Sequence, residues 1–345
     1  MSTLRFATFG AGFWAPFQLA AWRELPDNTC VALCNPTRAK AEALAKRLEI
    51  PNVYADPAEL LARERLDFVD IVSAVPSHYP LVDLALDHGM AVICQKPMTE
   101  TLEQAETLVR KAKRAGVPFF VHENFRWQAP LRALAGLLNA GAIGTPFRSR
   151  IDFISGFPVF DNQPALKSMD PFILMDIGTH ILDVARFLFG EAERLYCQTQ
   201  RIHTDIAGED VATVTLSMTS GATVVCHMAY AGTPVEREAF PQPLVFVEGT
   251  KGSVELAPDC TLRLTTKEGT KLTRHPPPRY PWADPAYAVV LSSIVPCNEN
   301  LLGALTGRGQ AETTGEDNLE TLRLVFAAVD SAHRREALRL AAGRA

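Results

Sequence analysis

The chain is short of several features that would mark a particular class. No CxxC pair occurs, and the seven cysteines are scattered at positions 30, 34, 94, 197, 226, 260 and 297. An odd, dispersed set argues against a disulfide framework and against a zinc site, and fits free thiols in a reducing compartment. Positive charge is not in excess: 34 Lys and Arg stand against 39 Asp and Glu, a net of −5. No basic field is present to attract nucleic acid or an anionic membrane. No apolar run approaches the ~18 residues of a membrane span. Met1-Ser2-Thr3-Leu4-Arg5 passes directly into an apolar strand and lacks the long apolar stretch of a signal peptide. The expected location is therefore cytoplasmic. Internal repeats and low-complexity segments are also missing. What remains is 345 residues, 47% hydrophobic and 21% charged. That is too long for one core, and domains of ~100–200 residues predict two.

The first third reads as alternating buried strands and helices. Leu4 to Phe9 is an apolar run that ends in Gly10-Ala11-Gly12-Phe13-Trp14-Ala15, a G-x-G-x-x-A, with a helix from about Ala15 to Glu24. Gly10 permits the tight turn, Gly12 leaves bare backbone for a pyrophosphate, and Ala15 allows close helix–strand packing. The helix N-terminus then turns unpaired N–H groups toward the phosphates. Thr29 to Cys34 is the next strand, followed by Asn35-Pro36-Thr37-Arg38. An acid near Asn35 would bond the ribose and repel a 2′-phosphate; Asn35 bonds but does not repel. Arg38 fits either a phosphate partner or a cap on the adenine face, so this turn leaves NAD and NADP both open. A helix from Thr37 to Leu48, a strand from Phe68 to Ala74 and a helix from Tyr79 to His88 follow, with Pro76 and His78 on the edge where a nicotinamide ribose would lie. Ala91 to Cys94 is another buried strand, ending in Gln95-Lys96-Pro97. A lysine at a strand's carboxyl end in such a sheet points into the ligand crevice. A capping box at Thr101 to Gln104 opens a helix to about Ala115. A strand at Val117 to Val121 ends in His122-Glu123-Asn124-Phe125-Arg126-Trp127, and a helix spans Pro130 to Asn139.

From about Thr145 the pattern changes to short alternating strands: 147–153, 195–201, 211–218, 222–230, 244–247, 253–257 and 261–265. They predict one mainly antiparallel sheet. A long loop, 157–164, holds Asp161, Asn162 and Gln163 between aromatics and prolines. A helix from about Ile173 to Phe189 carries Asp176 and His180. Four residues apart on a helix, they rise from one face, and an imidazole beside a carboxylate accepts a proton near neutral pH. His275-Pro276-Pro277-Pro278 is a stiff connector, and Gly315 to Leu340 reads as a long amphipathic packing helix. The expected architecture is an α/β Rossmann domain, 1–125, and an α+β domain with an open-faced, mainly antiparallel sheet, 126–345. The last helix is expected to pack back on the first domain. An open sheet covered by helices on one face leaves an apolar face in need of a partner, so a homodimer or homotetramer is expected.

Taken together, Gly10-Ala11-Gly12-Phe13-Trp14-Ala15, Gln95-Lys96-Pro97 and Asp176-Ile177-Gly178-Thr179-His180 make the chain resemble the Gfo/Idh/MocA oxidoreductases over nearly its whole length. In that family the lysine before proline and the Asp and His four apart form the catalytic group, which the resemblance carries to Lys96, Asp176 and His180. The chain departs at Gln95, where the family usually has Glu, and at Pro80, where His is common. Within the family, residues 12–18, 122–127 and 154–158 look like the D-apiose dehydrogenases, which implies NAD and a branched aldopentose.

The resemblance implies hydride transfer from a sugar or polyol carbinol carbon to nicotinamide, with loss of the hydroxyl proton. His180 is the expected general base, Lys96 the counter-charge to the developing alkoxide, and Asp176 the orienting carboxylate. The reverse assignment, with neutral Lys96 as base, stays open because two such groups titrate together. Gly10, Gly12, Phe13, Trp14, Asn35, Arg38, Pro76, His78, Gln95 and Lys96 are the expected cofactor residues. Asn124, Arg126, Asp152, Asp161 and Gln163 join Lys96, Asp176 and His180 toward substrate. A regulator that binds nucleotide without turnover, and a lyase or glycosidase using NAD transiently, are the competing classes. Absorbance at 340 nm separates them.

Overall fold

The computed structural model describes residues 3–230 and 239–340. Their contacts divide into two compact units. One runs through Glu123 and also takes in Ile294–Leu319; the other holds Asn124–Ser293 and the chain from Glu320 onward.

The first unit alternates strand and helix: β1 (Leu4–Phe9), α1 (Ala15–Arg23), β2 (Asn28–Cys34), α2 (Arg38–Leu48), β3 (Asn52–Tyr54), α3 (Pro57–Arg63), β4 (Phe68–Ile71), α4 (His78–Asp87), β5 (Ala91–Gln95), α5 (Leu102–Ala115) and β6 (Phe119–His122). The strands lie in the order β3-β2-β1-β4-β5-β6, and every pairing is parallel. Such strands are covered on both faces, which is why they read as near-continuous apolar runs. Phe6 and Phe68 stack at 4.8 Å across the β1–β4 pair, and Trp22 of α1 lies 5.4 Å from both. Helix α5 buries Ala105, Leu108, Val109 and Ala112, starts where Thr101 Oγ1 accepts from Gln104 N–H, and stops at Gly116 in the left-handed region. Elements β3 and α3 leave little signal in the sequence. Three half-buried residues carry no period. Helix α3 owes its start to Pro57 and to the Asp56 carboxylate, which accepts from Ala58 N–H at 2.8 Å.

The second unit adds α6 (Ala129–Asn139), β7 (Pro146–Ile154), α7 (Val159–Asn162), α8 (Thr179–Phe189), β8 (Ala192–Gln200), β9 (Val211–Met218), β10 (Thr223–Ala229), β11 (Leu244–Gly249), β12 (Gly252–Ala257), β13 (Thr261–Thr266), β14 (Gly269–Arg274) and α9 (Ala288–Ser292). The chain then gives α10 (Ile294–Leu305) to the first unit, passes through α11 (Gly315–Arg334), and ends its described part in β15 (Leu338–Arg339). The nine-stranded sheet runs β14-β13-β12-β11-β7-β10-β9-β8-β15, and β7 with β10 is its parallel pair. Strand β9 alternates buried and half-buried residues along its whole length, as a sheet with one covered face should. On β7 the covered face takes Ser149, Ile151 and Phe153, and α8 packs against β7 and β10.

Three expectations change here. The uncovered face is not simply apolar. Arg148 pairs with Glu248, while Asp152 accepts from Arg150 Nε at 2.7 Å and lies 2.7 Å from His227 Nδ1. Half-buried Val225 and Phe246 share this face. The last long helix stops at Arg334 rather than Leu340, because Arg335 turns into the left-handed region at φ 59° and the chain enters β15. Finally, an apolar run does exist. Residues Pro285–Leu305 have a mean hydropathy of 1.4 and the length and composition of a membrane span. The run is 56% buried in the protein and breaks at Ser293, with Val290, Leu291, Ile294, Leu301 and Leu302 in the core.

Candidate active site

In the first unit the two glycines of the β1–α1 turn do different work. Gly10 sits at φ +121°, and a Cβ there would lie 2.5 Å from Val72 O, so the fold itself demands glycine. A Cβ at Gly12 would meet nothing within 4 Å. Packing does not require that bare backbone, which faces open space at the head of a helix, and it fits a dinucleotide pyrophosphate. Trp14 lies beside it, with an indole Nε1 that is buried and has no hydrogen-bond partner. Phe17 holds Phe13 and Trp14 edge-on at 5.6 and 6.1 Å. After β2, the Asn35 amide donates to Thr37 O at 3.0 Å, and exposed Arg38 pairs with Glu42 at 2.8 Å. Pro76 is exposed on a single turn, Val75–Ser77.

His78 lies between two backbone carbonyls. It is buried, with Nδ1 2.8 Å from Pro97 O and Nε2 3.1 Å from Ser73 O. Burial pushes its pKa down despite these carbonyls. Its ring ties the segment after β4 to the Lys96–Pro97 turn. Lys96 leaves the end of β5 through a cis bond to Pro97, and its N–H donates to Gln95 Oε1 at 3.3 Å. The Gln95 amide nitrogen donates to Gln18 Oε1 at 2.5 Å and lies 3.1 Å from His122 Nδ1.

In the second unit Asp176 and His180 do not share a plain α-helix. Residues Leu174–Gly178 form a π turn, and α8 begins at Thr179. The wider turn changes the angle between positions four apart from that of the expected helix, and such turns recur at functional sites. Glu209 holds its start: Oε2 and Oε1 accept from Phe172 and Leu174 N–H, both at 3.1 Å. The approach is close enough that a Cβ on Gly208 would stand 2.6 Å from Met169 O.

The His180 side chain is buried and stacked face to face on Phe125, at 3.8 Å and 6°. Phe125 leads on to Phe153, and from there to Tyr230 and Phe240. The Tyr230 hydroxyl bonds the Asp176 carboxylate; burial first, then that charge, pushes its pKa well above the ordinary value, so it stays a donor. Tyr230 also stacks on Phe172 at 5.7 Å.

Several expected substrate residues have other partners. Arg126 is buried, with Nε and Nη2 on Asp183 at 2.8 and 2.5 Å, while Thr321 donates to the same carboxylate at 3.1 Å. Asn124 donates to Val290 O and Ser293 Oγ at 3.1 and 2.8 Å. Asp152 lies on the uncovered sheet face, across the sheet from the Phe153 that meets Phe125. Asp161 is exposed on α7, Gln163 is half-buried just after it, and neighbouring Asn162 donates to Tyr287 Oη at 3.1 Å. Sequence reasoning missed Phe125, Tyr230, Glu209 and Tyr287. Phe125 lies inside a stretch already singled out; the others are distant in sequence and carry no local pattern.

The two units carry different chemical groups. The first has a phosphate-ready turn and a lysine, and the second a buried imidazole and an anchored carboxylate. A sequence model of the Gfo/Idh/MocA oxidoreductase family, NAD-binding Rossmann fold, matches residues 4–123, and one of the GFO/IDH/MocA C-terminal domain matches 131–255. The chain is 44% identical to the D-apiose dehydrogenase of Paraburkholderia graminis over 94% of its own length and 87% of that protein's. It is 38% identical to the D-apiose dehydrogenase of Rhizobium rhizogenes, over 96% of each. The crystal structure of an oxidoreductase from Agrobacterium radiobacter in complex with NAD+, L-tartaric acid and magnesium superposes with a TM-score of 0.96, at 36% identity over 98% of both chains. The chain belongs to the Gfo/Idh/MocA family of oxidoreductases.

Proposed function

We propose that the protein is an NAD-dependent dehydrogenase of a sugar, with D-apiose as the first substrate to test. The observation that carries this reading is the similarity to D-apiose dehydrogenases across 94% of the chain, both units included. Bare Gly12 supports a bound dinucleotide. Arg38 supports NAD over NADP, because a 2′-phosphate would have to displace Glu42 from it. NAD, when bound, supplies the hydride acceptor. His180 takes the hydroxyl proton, its plane held by Phe125. Lys96 as ammonium stabilises the alkoxide, and Asp176, held by Tyr230, orients the group. Gly10, Phe13, Trp14, Asn35, Pro76 and Gln95 complete the cofactor side of this proposal, and Asp161 and Gln163 the substrate side.

The test is the rise in absorbance at 340 nm with NAD and a panel of aldoses and inositols, D-apiose among them. A steady rise with D-apiose supports the reading. Product formed with no net reduction of NAD replaces it with a lyase or glycosidase. We also propose a homodimer or homotetramer through the uncovered sheet face; light scattering at micromolar concentration that gives the 37.8 kDa monomer overturns this.

A further inference from the structure

The Gln95 amide belongs to a buried hydrogen-bond chain that starts at Asp70 and has a fixed direction. Gln18, Asp70, Gln95, His122 and Asn298 are all buried. An ionised Asp70 can only accept. Its Oδ2 takes the Trp22 indole N–H at 2.9 Å and its Oδ1 the Gln18 amide N–H at 2.6 Å. With the Gln18 nitrogen turned to Asp70, the Gln18 oxygen faces Gln95, which must answer with nitrogen, at 2.5 Å. That nitrogen is 3.1 Å from His122 Nδ1, so Nδ1 is the bare ring nitrogen. The ring proton is then on Nε2, which donates to Asn298 Oδ1 at 2.9 Å. The Gln95 oxygen is left as the acceptor for Lys96 N–H. Each assignment follows from the one before.

The far end does not oppose reversal: the Asn298 amide nitrogen is buried with no partner, and would simply exchange places with its oxygen. A reversed chain would set an amide nitrogen against Lys96 N–H, donor on donor. Direction is therefore set by Asp70 at one end and matched by Lys96 N–H at Gln95. We propose that Asp70 and Gln18 are positioning residues for Lys96, holding the Gln95 oxygen toward Lys96 N–H and so fixing the backbone from which the amine projects. The inference rests on Lys96 being part of the catalytic group. Burial pushes the Asp70 carboxyl up to about 7, against the pull of the Trp22 and Gln18 bonds. The titratable groups that act with it are the Cys30 and Cys94 thiols on β2 and β5, both pushed up by burial and neutral.

The test uses the full-length protein without cofactor, with ¹⁵N-labelled histidine, at about pH 9 where Asp70 is ionised. His122 should show the Nε2–H tautomer; the Nδ1–H tautomer overturns the proposal, and this measurement needs no variant. Asp70→Asn should disturb that signal and lower kcat by about 10- to 100-fold. Gln18→Glu, whose carboxylate still accepts from Gln95, should keep the tautomer and lower kcat through its like-charge contact with Asp70. The double variant Asp70→Asn with Gln18→Glu exchanges amide and carboxylate. The amide at position 70 then donates to the carboxylate at position 18, which still accepts from Gln95. It should restore both the tautomer and kcat. A double variant no better in kcat than either single overturns the proposal, because a merely structural role would add the two losses. Lys96→Ala reports on the underlying reading: if it keeps its turnover, the catalytic role falls, and the positioning with it. An inactive Lys96→Ala beside an unexpected tautomer overturns the positioning alone.

Discussion

The two units hold their candidate groups by different physical means. Around Lys96 the neighbours are amides, an imidazole and one carboxylate, and each contact has a donor end and an acceptor end. Around Asp176 and His180 the neighbours are mostly rings, with His180 against Phe125, and Tyr230 against Phe172 and Phe153. A directional network is sensitive to the exchange of one atom at constant shape, because a buried donor or acceptor left unpaired costs ~1–3 kcal/mol. A packed aromatic cluster tolerates such exchanges and responds to lost volume instead. One buried ion pair of the second unit joins Arg126 to Asp183, which lies three residues beyond His180 on α8.

The largest expected effect is in the second unit. His180→Ala should lower turnover by ~10²–10⁴ while a fluorescence titration finds NAD binding retained, since the cofactor turn lies in the first unit. Turnover within a few-fold of the native enzyme, with an unchanged pH profile, would make Lys96 the base. Next comes Arg126→Ala, which leaves Asp183 buried beside only Thr321. Urea denaturation should show a loss of ~3–5 kcal/mol, and a loss under ~1 kcal/mol would mean that the carboxylate finds water.

Third is the pH dependence set by Asp70, which titrates near 3.8 when unfolded and near 7 when folded. Between those values the unfolded chain has released a proton that the folded chain keeps. Stability should therefore fall as pH rises through that window and level off above it, by ~1.4 kcal/mol for each unit of separation. Asp70→Asn should flatten that segment of the profile; an unchanged slope would assign it to other groups.

The sharpest comparison pairs Gln95→Glu with Phe125→Leu. The first keeps shape but sets a carboxylate against Gln18 Oε1, which loses its donor at ~1–3 kcal/mol, while His122 changes tautomer and donates to the new oxygen. The second keeps an apolar group of similar size, at under ~1.5 kcal/mol. If the leucine variant melts earlier, the contrast between the units is wrong. The smallest effect is Asn35→Asp, which should raise the preference for NAD over NADP by about three- to tenfold in kcat/KM. No change would place the 2′ position away from this turn.

What the sequence made legible follows from how local each signal is. The β1–α1 turn and the buried strands were readable because their reasons lie within a few residues. Asp176 and His180 were found as a pair, but their turn was not. A π turn leaves no period in five residues, and Glu209, which holds it, comes some thirty positions later. That Arg126 pairs with Asp183 was not legible, because the two lie 57 positions apart. Asp152 shows the limit of alternation, which says that successive residues face opposite ways but not which face is covered. The contact of His78 with the Pro97 carbonyl, 19 positions on, leaves no local signal either. Strands β14 and β15 were passed over because one is largely polar and the other has two residues.

The return of Ile294–Leu319 to the first unit bears on how the chain acquires its structure during synthesis. Strand β6 needs that segment: Val121 N–H donates to Thr313 O at 2.9 Å, and Phe119 lies against Gly315. At ~5–20 residues per second, the ribosome takes on the order of 10–40 s to travel from the end of β6 to the residues that complete this unit. For that interval the nascent unit carries an uncovered β6 edge, a natural landing place for a chaperone. A fragment cut at Glu123 should carry the same exposure permanently and aggregate unless residues 294–319 are supplied in trans.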